Sequence, residues 1–239
     1  MPRIRVQGTD IEYRVLKTRR NRHIRLTVSG KNGVRISGPR GVPERDLHAM
    51  VREKGTWILE RLRHFNEMEQ RQPRWRYAGG ERVLVLGEWK SLRIIPRELN
   101  TGSIMLQDSD LLISLPPSLC QNETVIADLF HRWLRNWAHI ELPRRVVLQA
   151  ARMEVTPGRI SVRAQRSKWG SCSAAGNISL NMRLLHAPPA VLDYVIIHEL
   201  AHLRELNHSA RFWKIVEQYC PDHHVHEKWL RDHTWLLET

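Results

Sequence analysis

Two histidines stand four positions apart, at His198 and His202, with Glu199 directly after the first of them. Side chains four residues apart on a helix lie on one face about one turn apart, so both imidazoles can reach one metal ion. Glu199 projects to one side of that face, where its carboxylate can reach a water molecule on the ion rather than the ion itself. The spacing therefore predicts two metal ligands and a general base on one helix.

A catalytic zinc site needs a third protein ligand and keeps a fourth position open for water. His208 is the expected third ligand, because it lies six residues after His202 in a segment typical of a break between helices. A chain that turns there can bring an imidazole back to the ion. The competing candidates are Glu205, His186, His223, His224 and His226, and the last three could instead form a second metal site.

The expected metal is zinc, while imidazole ligands also suit nickel, cobalt or iron. Zinc lowers the pKa of bound water toward about 7 and polarises the substrate. Glu199 is then expected to accept the proton of the water and pass it to the leaving group. This set of residues indicates a metal-dependent hydrolase.

A polar loop earlier in the chain carries three cations beside small and aromatic residues. Its expected substrate-binding residues are Arg163, Arg166, Lys168, Trp169 and Ser171. Glycines in the same loop permit close approach of the backbone, and the cations could face an anionic substrate or an oxyanion. The alternative is a structural turn with Trp169 in the core.

The elements that must position these residues follow from the apolar pattern, which predicts an α+β chain. A strand-rich, basic N-terminal region is expected over residues 1–117, with a hairpin turn at Lys31-Asn32-Gly33 and one helix at about 43–69. A catalytic domain is expected over residues 118–239. No internal repeat is evident in the sequence.

Within the second region the pattern predicts strands at 159–164 and 177–183 and helices at about 123–153, 189–206, 209–220 and 222–237. Pro143 is expected to kink or split the first of these helices. The inner stripe of that helix is predicted to consist of Val125, Leu129, Trp133, Trp137, Ile140, Val147 and Ala151.

Positive charge is concentrated in the first third of the chain. The 239 residues carry 38 Lys and Arg against 25 Asp and Glu, a net charge of +13, and residues 1–76 carry 19 against 8, a net charge of +11. Such a region attracts nucleic acid, nucleotide phosphates or acidic proteins, unless it is only a solvated surface. No apolar run is long enough to span a membrane, and three scattered cysteines indicate the reduced thiols of a cytoplasmic protein.

Several short segments form a recognisable set. They are 166–172 (RSKWGSC), 178–181 (ISLN), 193–195 (DYV), 198–203 (HELAHL) and 207–209 (NHS), followed by Phe212-Trp213 and Pro221-Asp222. Together these segments resemble the YgjP-like group of SprT-related zinc metallopeptidases. The resemblance spans nearly the whole chain and is strongest over residues 163–222.

The resemblance implies a zinc ion held by His198, His202 and His208, and a catalytic Glu199. It also implies a zincin-like core in which the active-site helix packs on a small antiparallel sheet. A peptide substrate would lie along an exposed sheet edge as an added strand, expected at residues 177–183.

The residues leave two other functions open. One is hydrolysis of a nucleoside triphosphate to its monophosphate and pyrophosphate, with Arg163, Arg166 and Lys168 holding the phosphates. The other is a nucleic-acid-binding protein with a structural zinc, which requires a closed site of four ligands and salt-sensitive binding.

Overall fold

The computed structural model describes residues 1–19, 21–29, 33–71 and 75–238, without the side chains of residues 64–71 and 238. The chain divides into two compact units, residues 1–73 and 74–239. The expected boundary at 117/118 differs from this division. Residues 82–115 lie in the second unit because their apolar side chains, such as Val83, Leu92 and Ile113, share one core with the helices that follow.

The first unit is a four-stranded sheet with two helices. Its elements are β1 (Arg3–Val6), β2 (Thr9–Thr18), β3 (Arg25–Ser29), β4 (Gly33–Pro39), α1 (Glu44–Glu53) and α2 (Gly55–Arg71), with strand order β1-β2-β4-β3. Alternate residues of β2 and β4 form its core with α1 and α2: Ile11, Tyr13, Val34, Ile36, Leu47, Val51 and Ile58. The expected antiparallel pairing of β3 with β4 is present, while Lys31 and Asn32 of the turn lie outside the described residues.

The structure interrupts the expected single helix of residues 43–69 at Lys54. The chain begins α2 at Gly55, where an added β carbon would lie 2.8 Å from Cγ2 of Val6. Glycine is therefore needed where the helix passes close to β1, and the break sits where that glycine occurs.

The second unit begins with another four-stranded sheet. Its strands are β5 (Arg82–Val85), β6 (Glu88–Pro96), β7 (Ser103–Gln107) and β8 (Asp110–Leu115), in the order β5-β6-β8-β7. In both sheets the first two strands form an antiparallel hairpin, the second and fourth are parallel, and the third and fourth are antiparallel. The structure thus contains an internal repeat that was not evident from the sequence.

The two matching hairpins turn in the same way. Gln7 and Gly8 have φ of 48° and 80°, and Leu86 and Gly87 have φ of 50° and 80°. Positive φ at both turn residues gives the backbone twist that joins two antiparallel strands tightly. The second turn has a further role, since the backbone N–H groups of Leu86 and Gly87 donate to the carbonyls of Leu185 and His186 at 2.7 and 2.9 Å.

A long helix contributes many residues to the core of the second unit. α3 (Glu123–Arg152) is continuous through Pro143. Its buried residues are Ile126, Leu129, Phe130, Leu134, Ala138, Leu142, Val146 and Ala150. The expected stripe was right for Leu129, which is buried, and for Val125, Trp133 and Trp137, which are partly buried against the core. It was wrong for Ile140 and Val147, which are 71% and 60% exposed, and for Ala151, which is also exposed. Apolar residues lie on more than one face of this helix, so helical periodicity alone does not select the buried one.

The second unit also contains a small three-stranded sheet, which contacts the helix of residues 189–201. It consists of β9 (Ile160–Arg163), β10 (Gly170–Cys172) and β11 (Ile178–Asn181), in the order β10-β11-β9. β11 is antiparallel to β10 and parallel to β9, so the small sheet is mixed. The expected exposed edge at 177–183 was wrong, because β11 is the central strand and β10 is an edge.

Three helices complete the unit: α4 (Pro189–Ala201), α5 (Ala210–Tyr219) and α6 (His223–Asp232). The α+β fold class predicted from the sequence is confirmed. Most of α4 is buried, as its apolar run predicts. Among the described residues, no helix is both long and apolar enough to cross a membrane.

Candidate metal centre

The structure brings three imidazoles together at the end of α4. The ring centres of His198, His202 and His208 lie 4.7 to 5.2 Å apart, and Nε2 of His208 is 3.0 Å from Nε2 of His198. One ligand atom from each ring lies within 4.8 Å of the other two. Zinc–nitrogen bonds of ~2.1 Å at tetrahedral angles separate two nitrogens by about 3.4 Å and two ring centres by about 5 Å. The arrangement therefore fits one divalent transition-metal ion.

His208 reaches this position because α4 ends early. The expected helix continued to residue 206, but its last residue is Ala201 and the chain tightens there, with the N–H of Arg204 donating to the carbonyl of Ala201. Ser209 then caps α5 by accepting a hydrogen bond from the N–H of Phe212 at 3.4 Å. The short connection between the two helices turns the chain back and carries His208 toward the other two rings.

The Nδ1 atoms of two of these rings differ in their hydrogen bonding. Nδ1 of His202 lies 3.1 Å from the carbonyl oxygen of Glu205, to which it can donate, leaving Nε2 for a metal. Glu205 thus takes part through its backbone, rather than through the carboxylate considered as a competing ligand. Nδ1 of His198 is buried and has no hydrogen-bond partner among the described residues.

Phe212 forms the floor of the cluster. Its fully buried ring lies 4.5, 4.7 and 4.9 Å from the ring centres of His202, His208 and His198. Trp213 lies 5.9 Å from His208 and 6.0 Å from His198. Sequence reasoning gave Phe212 no part in the site. One feature of the sequence could have indicated its role: Phe212 lies three residues after the cap Ser209, on the inner face of the first turn of α5.

Burial keeps these imidazoles in the form that binds metals. Removal from water, with smaller contributions from the neighbouring histidines, lowers the pKa of His198 to about 4. Burial also lowers the pKa of His202. A metal ligand must be a neutral imidazole, so the donor set suits a cation at neutral pH.

Glu199 is buried between α4 and the edge strand β10. Only 6% of its surface is exposed, and an added β carbon on Gly170 would lie 2.7 Å from its Oε1. Burial raises the pKa of Glu199 to about 7, while a hydrogen bond from the backbone of Cys172 and the charge of Lys168 act in the opposite direction. Burial and the charge of Glu199 both raise the pKa of Cys172. A raised thiol pKa is consistent with Cys172 not serving as a nucleophile.

The predicted substrate-binding residues are divided by the structure. Lys168 is exposed and its charge acts on Glu199, and Ser171 lies within β10 between Gly170 and Cys172. Trp169 is partly buried against the main core. Arg163, the last residue of β9, and Arg166, in the loop that follows, are exposed, and no described contact joins either of them to the three histidines.

A buried amide holds the loop in place. Nδ2 of Asn181 donates to the carbonyls of Gln165 and Lys168 at 2.6 and 2.8 Å, and its Oδ1 accepts from the N–H of Arg183 at 3.1 Å. Asn181 is fully buried. It therefore fixes both ends of residues 165–168 and, through them, the start of β10.

A second group of side chains lies at the start of α6. His223, His224 and Glu227 offer ligand atoms within 4.8 Å of one another, and His223 is buried. Rings of Tyr194 and Trp213 stack on His223. Because Tyr194 and Trp213 also contact His198, His223 belongs to the aromatic wall beside the main cluster.

Comparison with known proteins gives a family. The model of the YgjP-like metallopeptidase domain matches residues 22–233 of the chain. No curated protein matches. Among solved structures, the metallopeptidase zymogen abylysin of Pyrococcus abyssi is similar, with 25% identity over 32% of this chain and 76% of that chain and a TM-score of 0.30.

Proposed function

This chain belongs to the YgjP-like metallopeptidase family, and from that premise we propose that it is a zinc-dependent peptidase. In this proposal His198, His202 and His208 hold the ion and Glu199 is the general base. The family implies a divalent metal ion, usually zinc. The observation that carries the proposal is the convergence of three imidazoles from α4 and the following turn beside one buried carboxylate.

The residues divide the work of peptide hydrolysis. When bound, zinc would supply a Lewis acid that polarises the scissile carbonyl and acidifies a water molecule. The carboxylate of Glu199 accepts the proton of that water and delivers it to the leaving amine. Its burial against β10 holds the carboxylate in one place, which spares the reaction the cost of ordering it.

The edge strand β10 is the proposed binding strand for the substrate. β10 pairs with β11 on one side, and no strand pairs with its other side in the described part of the chain. An extended peptide that adds to this edge gains backbone hydrogen bonds and lies beside Glu199. Trp169 and Ser171 would border the peptide, and Lys168 would offer a positive charge to the carbonyl oxygen as it becomes negative.

One observation favours a second candidate, nucleotide hydrolysis. Arg163, Arg166 and Lys168 are exposed cations at or next to the loop beside Glu199, and guanidinium groups bind phosphate oxygens in pairs. A structural zinc is less well supported, because the cluster comprises three imidazoles within the described ranges and a closed site requires four ligands.

One experiment separates these functions. The zinc-loaded protein is incubated with casein, a quenched fluorescent peptide library and each nucleoside triphosphate, next to Glu199→Gln and the control Glu205→Gln. Loss of a general base is expected to slow peptide cleavage by roughly 10²- to 10⁴-fold, with zinc content unchanged. The control should retain activity, because Glu205 contacts His202 through its backbone carbonyl. Phosphate or pyrophosphate release that is lost in Glu199→Gln would favour the nucleotide reaction, and cleavage unaffected by that change would contradict both.

A further inference from the structure

One face of the first sheet carries a row of arginines. Alternate strand residues point to opposite faces, and Ile11, Tyr13, Val34 and Ile36 face the core. The residues between these core residues lie on the outer face of the sheet. On that face Arg14 of β2 is the register partner of Arg35 of β4, and Arg25 of β3 is the register partner of Ser37 of β4. Arg14, Arg25 and Arg35 are all exposed.

The charges on this face are not balanced along its length. Arg3 and Arg5 of β1 pair with Glu12 and Asp10 of β2, at 2.5 and 3.8 Å. No ion pair is found for Arg14, Arg25 or Arg35 in residues 1–19, 21–29 and 33–63. The positive charge therefore remains over β2, β4 and β3.

Arg14 and Arg35 are direct neighbours on parallel strands. Like charges directly opposite each other destabilise a sheet, and neighbouring strands are only ~4.8 Å apart. A bound anion between two guanidinium groups removes this repulsion. Arg25 lies one strand beyond Arg35 and about two residues along, within about 8 Å of it by the same spacings.

The remaining residues of the face distinguish among polyanions. Between the arginines stand the small polar residues Thr27 and Ser37, and Leu16, 43% exposed, is the large apolar side chain. Stable membrane binding usually combines cations with apolar or aromatic residues that insert into the bilayer, and protein interfaces usually have an apolar core. Single-stranded nucleic acid is bound largely by stacking on aromatic rings, which this set of residues lacks.

We propose that the face formed by Arg14, Arg25 and Arg35 binds the sugar–phosphate backbone of duplex nucleic acid. Each guanidinium group donates to phosphate oxygens in a bidentate manner, and the hydroxyls of Thr27 and Ser37 fit between adjacent phosphates. Duplex DNA carries one negative charge per ~1.7 Å of its axis, so an array of cations on one face of a sheet can meet several phosphates at once. Binding of this kind reads no base sequence. It does not depend on the metal centre.

The test is fluorescence anisotropy of the full-length protein with a labelled duplex over a series of salt concentrations. The variant Arg14→Gln/Arg25→Gln/Arg35→Gln is compared with Arg45→Gln/Arg52→Gln/Lys54→Gln, which removes the same charge from exposed positions on and after α1. A plot of log K against log salt has a negative slope, and each lost phosphate contact makes that slope shallower by about 0.9. The slope of the sheet variant is therefore expected to be shallower by nearly three. Its affinity at moderate salt is expected to fall at least about tenfold.

The control variant is expected to keep the slope of the parent protein. Equal losses in both variants, no duplex binding by the parent protein, or tighter binding to single strands or to phosphatidylserine vesicles would overturn the proposal. Circular dichroism and the melting temperature check that each variant is folded. If the triple variant is unfolded, the three single variants replace it, and each should make the slope shallower by about one.

Discussion

Gly170 in the edge strand lies so close to Glu199 that an added β carbon would stand 2.7 Å from Oε1 and 2.8 Å from Cγ of the glutamate. Real β carbons essentially never approach other atoms below 3.0 Å. The absence of a side chain at position 170 thus allows the strand backbone to rest on the proposed catalytic carboxylate. This contact links the small sheet to the helix that carries the histidines.

The first prediction concerns this contact. Gly170→Ala should displace the carboxylate of Glu199 while leaving the three imidazoles in place. A misplacement of about 1 Å at a reacting group can cost on the order of 10²-fold in rate, so kcat for peptide cleavage should fall by that order with zinc content unchanged. Gly79→Ala is the control, because a β carbon there would meet Ile94 at an ordinary 3.5 Å. Full activity in Gly170→Ala would show that the contact has no catalytic role.

The second prediction concerns the third ligand. His208→Ala should weaken zinc binding by more than about 100-fold, since even the loss of a partner behind a metal ligand costs 10- to 100-fold. A chromophoric chelator in competition with the protein measures the affinity. His224→Ala is the matched control, an exposed histidine of the second cluster. Equal affinity in His208→Ala and the parent protein would remove His208 from the proposed site.

The third prediction concerns the amide that holds the loop before β10. Asn181→Ala leaves the carbonyls of Gln165 and Lys168 without their donor. A buried group left unsatisfied costs roughly 1–3 kcal/mol, so the free energy of unfolding should fall by about 2 kcal/mol or more. As a positioning residue Asn181 should also affect kcat, because the loop leads into Gly170.

Asn181→Asp separates the loss of the two donors from the loss of side-chain volume. The aspartate keeps an acceptor for the N–H of Arg183 but loses both donors to the loop, so kcat should fall about as far as in the alanine variant. Asn136→Ala on the exposed side of α3 is the control. Loss of stability with kcat intact in both Asn181 variants would mean that the amide is only structural.

The fourth prediction concerns the pH dependence of stability. His186 is 1% exposed, and burial lowers its pKa to about 4, against a hydrogen bond to the carbonyl of Leu84 at 2.6 Å. Between about pH 6.5 and pH 4 the unfolded chain binds a proton here that the folded chain does not. This group therefore stabilises the fold fully above about pH 6.5, and up to about 3 kcal/mol is lost as the pH falls to about 4.

The measurement is urea unfolding followed by tryptophan fluorescence at several pH values, with chelator present so that metal release does not contribute. Eight of the nine tryptophans lie in the second unit, so the signal reports mainly on the unit that contains His186. His186→Gln, which cannot titrate, should show a shallower loss of stability toward low pH. The same pH slope in both proteins would contradict a buried neutral His186.

The strongest sequence-based predictions concerned residues close together in the chain. The spacing of His198 and His202 on one helix, the cap at Ser209 and the break that carries His208 all depend on local backbone geometry, which a few neighbouring residues determine. The prediction that α4 continues to residue 206 went too far, because helical periodicity persists past Ala201 while the chain already turns toward His208.

Predictions about contacts between distant segments were weaker. The buried face of α3 was misjudged because Ile140 and Val147 fit a helical stripe as well as Leu142 and Val146 do. The repeat of the two sheets escaped notice because it is preserved in topology and in the turns at Gln7-Gly8 and Leu86-Gly87, with little identity between the strands. The edge of the small sheet was placed on β11, since strand order is not encoded in the alternation of a single strand.

The sequence by itself determined the fold class, the family and the helix on which two histidines and a glutamate share one turn, because the geometry of a helix follows from its own hydrogen bonds. Only the tertiary structure decided that Phe212 underlies all three imidazoles, that Gly170 meets Glu199, that β10 is the edge strand and that Arg14 and Arg35 share an open face. These relationships arise when separate elements pack into one core, and many arrangements satisfy the same local pattern before packing selects one of them.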